Sequence, residues 1–211
     1  MPIIKYKEKI VHFAHIPKCA GTSIEQYLYS LNGVELAFID GNFTQRQAHE
    51  RWNRSSPQHI DGKSLARIFP LSFFDGFFAI VRDPISRVKS AYHFQQKRTK
   101  RISASTDIDQ FIQNDLFQNH DQIGWLDNHF LPQSRFFYPN ANYKIFKLEQ
   151  KGPEKAKQYL DRTLFDNDLE SKIKKVNTSS NKSDIDISNE SLSIIHDIYD
   201  KDFMSFNYDK S

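Results

Sequence analysis

Apolar positions fall in two blocks that read alike. In the first, Ile10-Val11-His12-Phe13-Ala14 is a short apolar run, and Ile24, Tyr27, Leu28 and Leu31 recur after it at helical spacing. Between them lies His15-Ile16-Pro17-Lys18-Cys19-Ala20-Gly21-Thr22-Ser23, so the pattern predicts a strand, a tight turn and a helix N-terminus. In the second block, Phe77-Phe78-Ala79-Ile80-Val81 has the unbroken apolar character of a buried parallel strand and ends at Arg82-Asp83-Pro84. Asp83 suits an N-cap and Pro84 the first helical position. Ile85, Val88 and Tyr92 then form an apolar stripe, with Ser86, Ser90 and His93 on a neighbouring face.

The remaining pattern is weaker. Residues 34–39 read as a short strand closed by Asp40-Gly41-Asn42, and the polar residues 43–58 as a loop or broken helix near the site. Leu65, Ile68 and Phe69 place a helix over 63–69, residues 109–117 read as helical, and 97–106 as a loop. Residues 143–149 alternate like a strand, and 153–164 predict a helix after Gly152. Leu192, Ile195, Tyr199 and Phe203 mark a final amphipathic helix expected to pack against the sheet. Strands alternating with helices predict an α/β fold with a central parallel sheet flanked by helices.

A chain of 211 residues suffices for one domain with a sizeable core, so residues 1–211 are taken as a single unit. A net charge of +3 gives no sign of bulk nucleic-acid binding, although it allows a locally basic cleft. One cysteine leaves no internal disulfide and no cysteine-rich metal site. The start of the chain is too short and too charged for a signal peptide, and nothing approaches the ~20 apolar residues of a membrane span. As written, the sequence reads as a soluble, cytoplasmic protein.

The chemistry concentrates at the two strand-to-helix junctions. The first turn of a helix leaves N–H groups unpaired and carries the positive end of the macrodipole, so an anion fits there. At the first junction Gly21 allows close backbone approach, Thr22 and Ser23 add hydroxyls, and Lys18 adds a full charge. At the second, Arg82 and the Ser90 hydroxyl two turns on are placed to grip a phosphate from two sides. A nucleoside-triphosphate loop would put its lysine directly after a second glycine, with a metal-binding hydroxyl next to it. Here Lys18 precedes Gly21 by three residues.

The nonamer resembles instead the 5′-phosphosulfate loop of the sulfotransferases, in the HIPK-x-(A/G)-G-T-S form of the glycan O-sulfotransferase branch. Residues 77–92 resemble that branch's 3′-phosphate segment, R-[DN]-P-x-x-R-x-x-S-x-Y, read here as Arg82, Asp83, Pro84, Arg87, Ser90 and Tyr92. Asp127-Asn128-His129-Phe130-Leu131-Pro132-Gln133 resembles a third, weaker segment, H-[FW]-x-P-Q. The resemblance implies a P-loop-like three-layer fold binding 3′-phosphoadenosine 5′-phosphosulfate (PAPS). It places Lys18, Cys19, Ala20, Gly21, Thr22 and Ser23 at the 5′ end of the donor, and Arg82 and Ser90 at the 3′-phosphate. The acceptor it implies is a hydroxyl of a carbohydrate or glycolipid. A sulfuryl group carries less negative charge than a phosphoryl group, so no metal is called for.

Of the eight histidines, His59 lies in the interval where these enzymes carry their catalytic histidine, and the resemblance gives it the role of general base. Lys18 then stabilises charge on the leaving phosphate. Asp61 is a candidate to orient His59, His15 to pack behind the loop, and His129 to be structural or to line the acceptor groove. Cys19 sits where thiolates are favoured but reads as a small loop residue. Lys97-Arg98-Thr99-Lys100-Arg101 reads as a solvated charge run, with contact to an acidic glycan as the alternative. Residues 176–182, with Asn177-Thr178-Ser179, fit a plain linker as well as a nucleotide-side segment, and 176–188 are a candidate lid. Two rivals stand beside the transferase: a P-loop nucleotide kinase, and a non-catalytic relative that holds nucleotide or anionic glycan.

Overall fold

A computed structural model describes residues 2–173 and 185–210. The chain runs β1 (Ile3–Tyr6), β2 (Lys9–Ala14), α1 (Gly21–Tyr29), β3 (Glu35–Ala37), α2 (Gly62–Ala66), β4 (Gly76–Val81) and α3 (Pro84–Lys97). Then follow α4 (Ile108–Gln110), a π-helical stretch (Phe111–Leu116), α5 (Phe117–Asn119), β5 (Lys144–Lys147), α6 (Gly152–Phe165), α7 (Asn189–Ile198) and α8 (Asp200–Ser205). Short 3₁₀ turns fill residues 43–59 and 125–136.

The sheet order is β3-β1-β2-β4-β5. β2, β4 and β5 are parallel, as expected, but β1 is antiparallel to both β2 and β3, so the sheet is mixed rather than wholly parallel. Only Lys7 and Glu8 join β1 to β2, and a link that short permits nothing but an antiparallel pair. Lys7 adopts φ 51° to make the turn. With no Asn-Gly or Asp-Gly at the turn and only four residues in β1, the sequence carried little hairpin signal.

Register divides the core between the two faces of the sheet. Phe13 pairs with Phe78 and His12 with Phe77, and neighbouring positions on a strand point to opposite faces. On one face Phe13 and Phe78 stack at 4.6 Å, with Tyr159 of α6 against Phe78. On the other, Phe77 meets His12, Tyr138 and Tyr143. Helices therefore flank a five-stranded sheet whose β2–β4–β5 half ends in the two junctions foreseen from the pattern.

A second apolar cluster lies beside the sheet core. Val88, Ala91 and Tyr92 of α3 meet Phe111, Ile112, Leu116, Phe130, Ile195, Tyr199 and Phe203. The last amphipathic stretch is thus two helices meeting at Tyr199, and it covers α3 and the 130–134 segment instead of the sheet. Tyr199 donates to the Phe130 carbonyl at 2.6 Å, and Asp202 accepts from the Gln133 and Ser134 N–H groups at 2.6 and 2.8 Å. These bonds hold the third motif against the C-terminal helices.

α2 packs tightly against the 137–138 backbone. A Cβ on Gly62 would lie 1.9 Å from the Phe137 carbonyl oxygen, whereas one on Gly41 would meet nothing within 4 Å. Gly62→Ala is expected to cost about 1–3 kcal/mol of unfolding free energy, and Gly41→Ala to stay within about 0.5 kcal/mol of the parent. Urea denaturation of the two variants side by side checks both.

Candidate active site

At the first junction Lys18 and Ala20 take left-handed conformations, with φ 69° and 62°. Such residues cost free energy without glycine's freedom, and beside helical ones they turn successive N–H groups into one concavity. Ala20 is the N-cap of α1 and brings no capping side chain to the first turn, where the Ser23 N–H donates to the Ala20 carbonyl at 3.0 Å. The N-terminus of α1 thus presents backbone donors of the kind that suit an anion. Lys18 leans over the ring of Phe94 at 4.3 Å, and burial, with Arg82 beside it, lowers its pKa from 10.5 to about 8.

One residue of the loop departs from expectation, and another packs as the small loop residue it was read to be. Gly21 was expected to admit a ligand, but the space at its Cα is filled by His15. A Cβ there would lie 1.9 Å from the His15 Nε2. Cys19 is buried, and that burial pushes its thiol up to about 12, so it packs as a small neutral group. Its Sγ lies 3.6 Å from the Gln133 Oε1. Thr22 is exposed and Ser23 buried.

At the second junction Asp83 caps α3 by accepting from the Ser86 N–H at 2.7 Å, and Pro84 opens the helix as the pattern predicted. The Arg82 guanidinium donates to the Lys18 carbonyl at 3.3 Å, so the two motifs meet. Gln133 fixes the Arg82 backbone from both sides, accepting its N–H at 2.9 Å and donating to its carbonyl at 2.8 Å. Ser90 is half-buried on α3. Arg87 is wholly buried and donates to the carbonyls of His129 and Leu131 at 3.0 and 2.7 Å. Its place in the motif is thereby explained by structure, since no part of it reaches the surface.

His59 sits on a 3₁₀ turn (Pro57–His59), 9% exposed. Its Nδ1 lies 2.8 Å from the Asp127 Oδ2. Asp61, a candidate to orient His59 or else an ordinary turn carboxylate, caps α2 by accepting from the Ser64 N–H at 3.0 Å. Asp127 also accepts from the Ser56 N–H at 2.6 Å and hydroxyl at 2.9 Å. Burial on its own would raise the Asp127 carboxyl, but the facing His59 and these bonds hold it well below the usual range. A charged carboxylate accepts only, so the His59 Nδ1 carries a hydrogen toward Asp127 and Nε2 is the nitrogen left to face the cavity. Asn128 fixes the turn itself, donating to the His59 carbonyl at 2.8 Å.

Leu126, Asp127 and Asn128 are successive left-handed residues, at φ 44°, 57° and 59°. That run costs of order 1–3 kcal/mol per residue, and it aims Asp127 and Asn128 together at His59. His129 follows. Its ring lies 5.1 Å from that of His59 and stacks on Phe94 at 5.0 Å, while the ring of His15 lies 5.2 Å from His59 on another side. Burial and the nearby His59 lower His129 to about 3 and His15 well below its ordinary value, so both are neutral.

These groups face a cavity of about 510 Å³ lined by His59, Asp127, His129, Phe94, Arg98 and Arg101 among others. Lys18 reaches its wall through Phe94, which links the cradle to the histidines. A smaller hollow of about 270 Å³ beside Lys147 and Phe206 contains none of these residues. No helix among the described residues is long and apolar enough to cross a membrane. The Asn177-Thr178-Ser179 segment lies outside the described residues, as does most of the candidate lid.

Comparison with known families gives a match to the model described as Sulfotransferase family, over residues 3–209. The chain belongs to the sulfotransferase family. No curated protein and no solved structure matches it. In this sulfotransferase, sequence reasoning singled out Lys18, Arg82 and His59, and it gave no role to Asp127 or Gln133. Asp127 adjoins the third motif and precedes His129 by two residues; its signal was adjacency alone.

The buried Arg87 supplies a direct test of how the site is assembled. Arg87→Met removes two charge-assisted donors and leaves two buried carbonyls unpaired, at an expected cost of about 3 kcal/mol or more. Chemical denaturation gives the value, and a loss under about 1 kcal/mol contradicts this reading of Arg87.

Proposed function

We propose that this sulfotransferase moves the sulfuryl group of PAPS to a hydroxyl of a carbohydrate or glycolipid, with His59 as general base. The observation that carries the reading is the contact of the Arg82 guanidinium with the Lys18 carbonyl, with the Lys18 ammonium resting over Phe94, a wall of the cavity that His59 lines. It supports a P-loop-like arrangement in which one nucleotide spans both junctions. The donor set suits two phosphates: uncapped first-turn N–H groups with Lys18 for one, Arg82 with Ser90 for the other. PAPS, when bound, supplies the activated sulfuryl group.

The chain's own residues supply the rest. His59 accepts the acceptor hydroxyl's proton at Nε2 as the oxygen–sulfur bond forms, and Asp127 stabilises the imidazolium through Nδ1–H. As the bond from sulfur to the phosphate oxygen breaks, charge collects on the departing nucleotide. Lys18 and the positive end of α1 offset it there. His15 and His129, whose burial makes their rings hard to protonate, are poor proton acceptors by comparison. The rate comes from positioning and fixed dipoles, consistent with how many hydrogen bonds hold a single imidazole.

Two results are expected. His59→Ala loses transfer while still binding 3′,5′-adenosine diphosphate, and Asp127→Asn lowers kcat by about 10²-fold or more with the same binding retained. Calorimetry with radiolabelled transfer on an acceptor panel reads both; a His59→Ala protein that turns over normally removes His59 from the chemistry. The second concerns pH. Lys18 is charged below its value of about 8 and loses its proton above it. Nucleotide affinity should therefore fall as pH rises from 7 to 9, by at most about tenfold per unit. In Lys18→Arg that fall should vanish.

A further inference from the structure

His59 and His129 share a feature, and in His129, which takes no part in the proton transfer, that transfer does not account for it. Each fixes its Nδ1 on an acceptor: His59 on the Asp127 carboxylate at 2.8 Å, His129 on the Leu126 carbonyl at 3.0 Å. Carboxylates and carbonyls only accept here, so each neutral ring holds its hydrogen on Nδ1 and leaves the Nε2 lone pair bare. An imidazole whose far nitrogen is tied to a carboxylate or a main-chain carbonyl is the arrangement that metal-ligating histidines use. One ligand atom from each of His59, Asp127 and His129 lies within 4.8 Å of the other two. All three line the same cavity, which leaves room for water or substrate beside them.

We propose that His59 and His129 form a binding site for a divalent transition ion of the zinc type, with Asp127 as the carboxylate behind it. The two imidazoles bind the ion through Nε2, and water from the cavity fills the other positions. Nitrogens sharing a zinc at about 2.0–2.1 Å stand about 3.3–3.4 Å apart, so the two rings must draw closer with their Nδ1 bonds kept. Imidazole pairs suit zinc, cobalt and copper, whereas magnesium and calcium prefer oxygen. Coordination occupies the lone pair that His59 offers to the acceptor hydroxyl, so the ion inhibits transfer. Metal binding stands on the geometry alone; the inhibition also rests on His59 being the base.

Cobalt titration of the chelator-treated full chain, followed by visible absorption, tests the binding. The expected result is one Co²⁺ per chain with a low-symmetry spectrum, displaced by Zn²⁺. His129→Gln keeps a donor for the Leu126 carbonyl but has no imidazole, and it should bind at least about tenfold more weakly. Circular dichroism and 3′,5′-adenosine diphosphate binding establish that the variant is folded. If the parent takes up no cobalt, or if His129→Gln binds it as tightly, the site does not exist. Transfer assayed without metal, and again with Zn²⁺, reads the inhibition separately: loss of the transferase reading leaves the cobalt result intact, and a null cobalt result leaves transfer untouched.

Discussion

A guanidinium with no exposed surface must find acceptors inside the protein, and that constraint on Arg87 organises the cleft. Its acceptors are the carbonyls of His129 and Leu131, so α3 and the 126–133 segment fold as one piece. That segment then reaches both junctions. Gln133 clamps the backbone of Arg82, while Asp127 and Asn128 seize the side chain and carbonyl of His59. Asp202 and Tyr199 secure it from behind. One latched loop thereby fixes Lys18 and Arg82 relative to His59, the preorganisation that the proposed transfer needs.

The cleft is electrostatically crowded, and its protonation pattern follows from that. Lys18 and Arg82 lie side by side, and three imidazoles meet around His59. Two of those imidazoles are driven neutral, and Lys18 is weakened as an ammonium. An anionic ligand between the cations relieves this repulsion, so part of the free energy of binding comes from groups held close together beforehand. The left-handed turns at Lys18, Ala20 and 126–128 are strain of the kind that collects at functional sites.

Much of this was legible in the residues. The pattern located β2, β4, α1 and α3 because each junction carries strong local chemistry: an apolar run, a cap, and a helical stripe. Lys18, Arg82 and His59 followed from motif resemblance. What escaped depended on partners distant in sequence. Asp127 lies 68 positions from His59, and nothing local favoured it over Asp61. Gly21 carried an ordinary phosphate-loop reading, yet its real neighbour is His15. β1 was too short to announce itself, and α7 and α8 found α3 instead of the sheet because their apolar face matches either surface.

The central claim is that one nucleotide spans the two junctions with its reactive end toward His59. A crystal structure of the complex with 3′,5′-adenosine diphosphate tests it most directly. The account predicts the 5′-phosphate on Lys18 and the first turn of α1, the 3′-phosphate on Arg82 and Ser90, and the His59 imidazole facing the 5′ end. A nucleotide bound elsewhere, or one that leaves either junction empty, contradicts it.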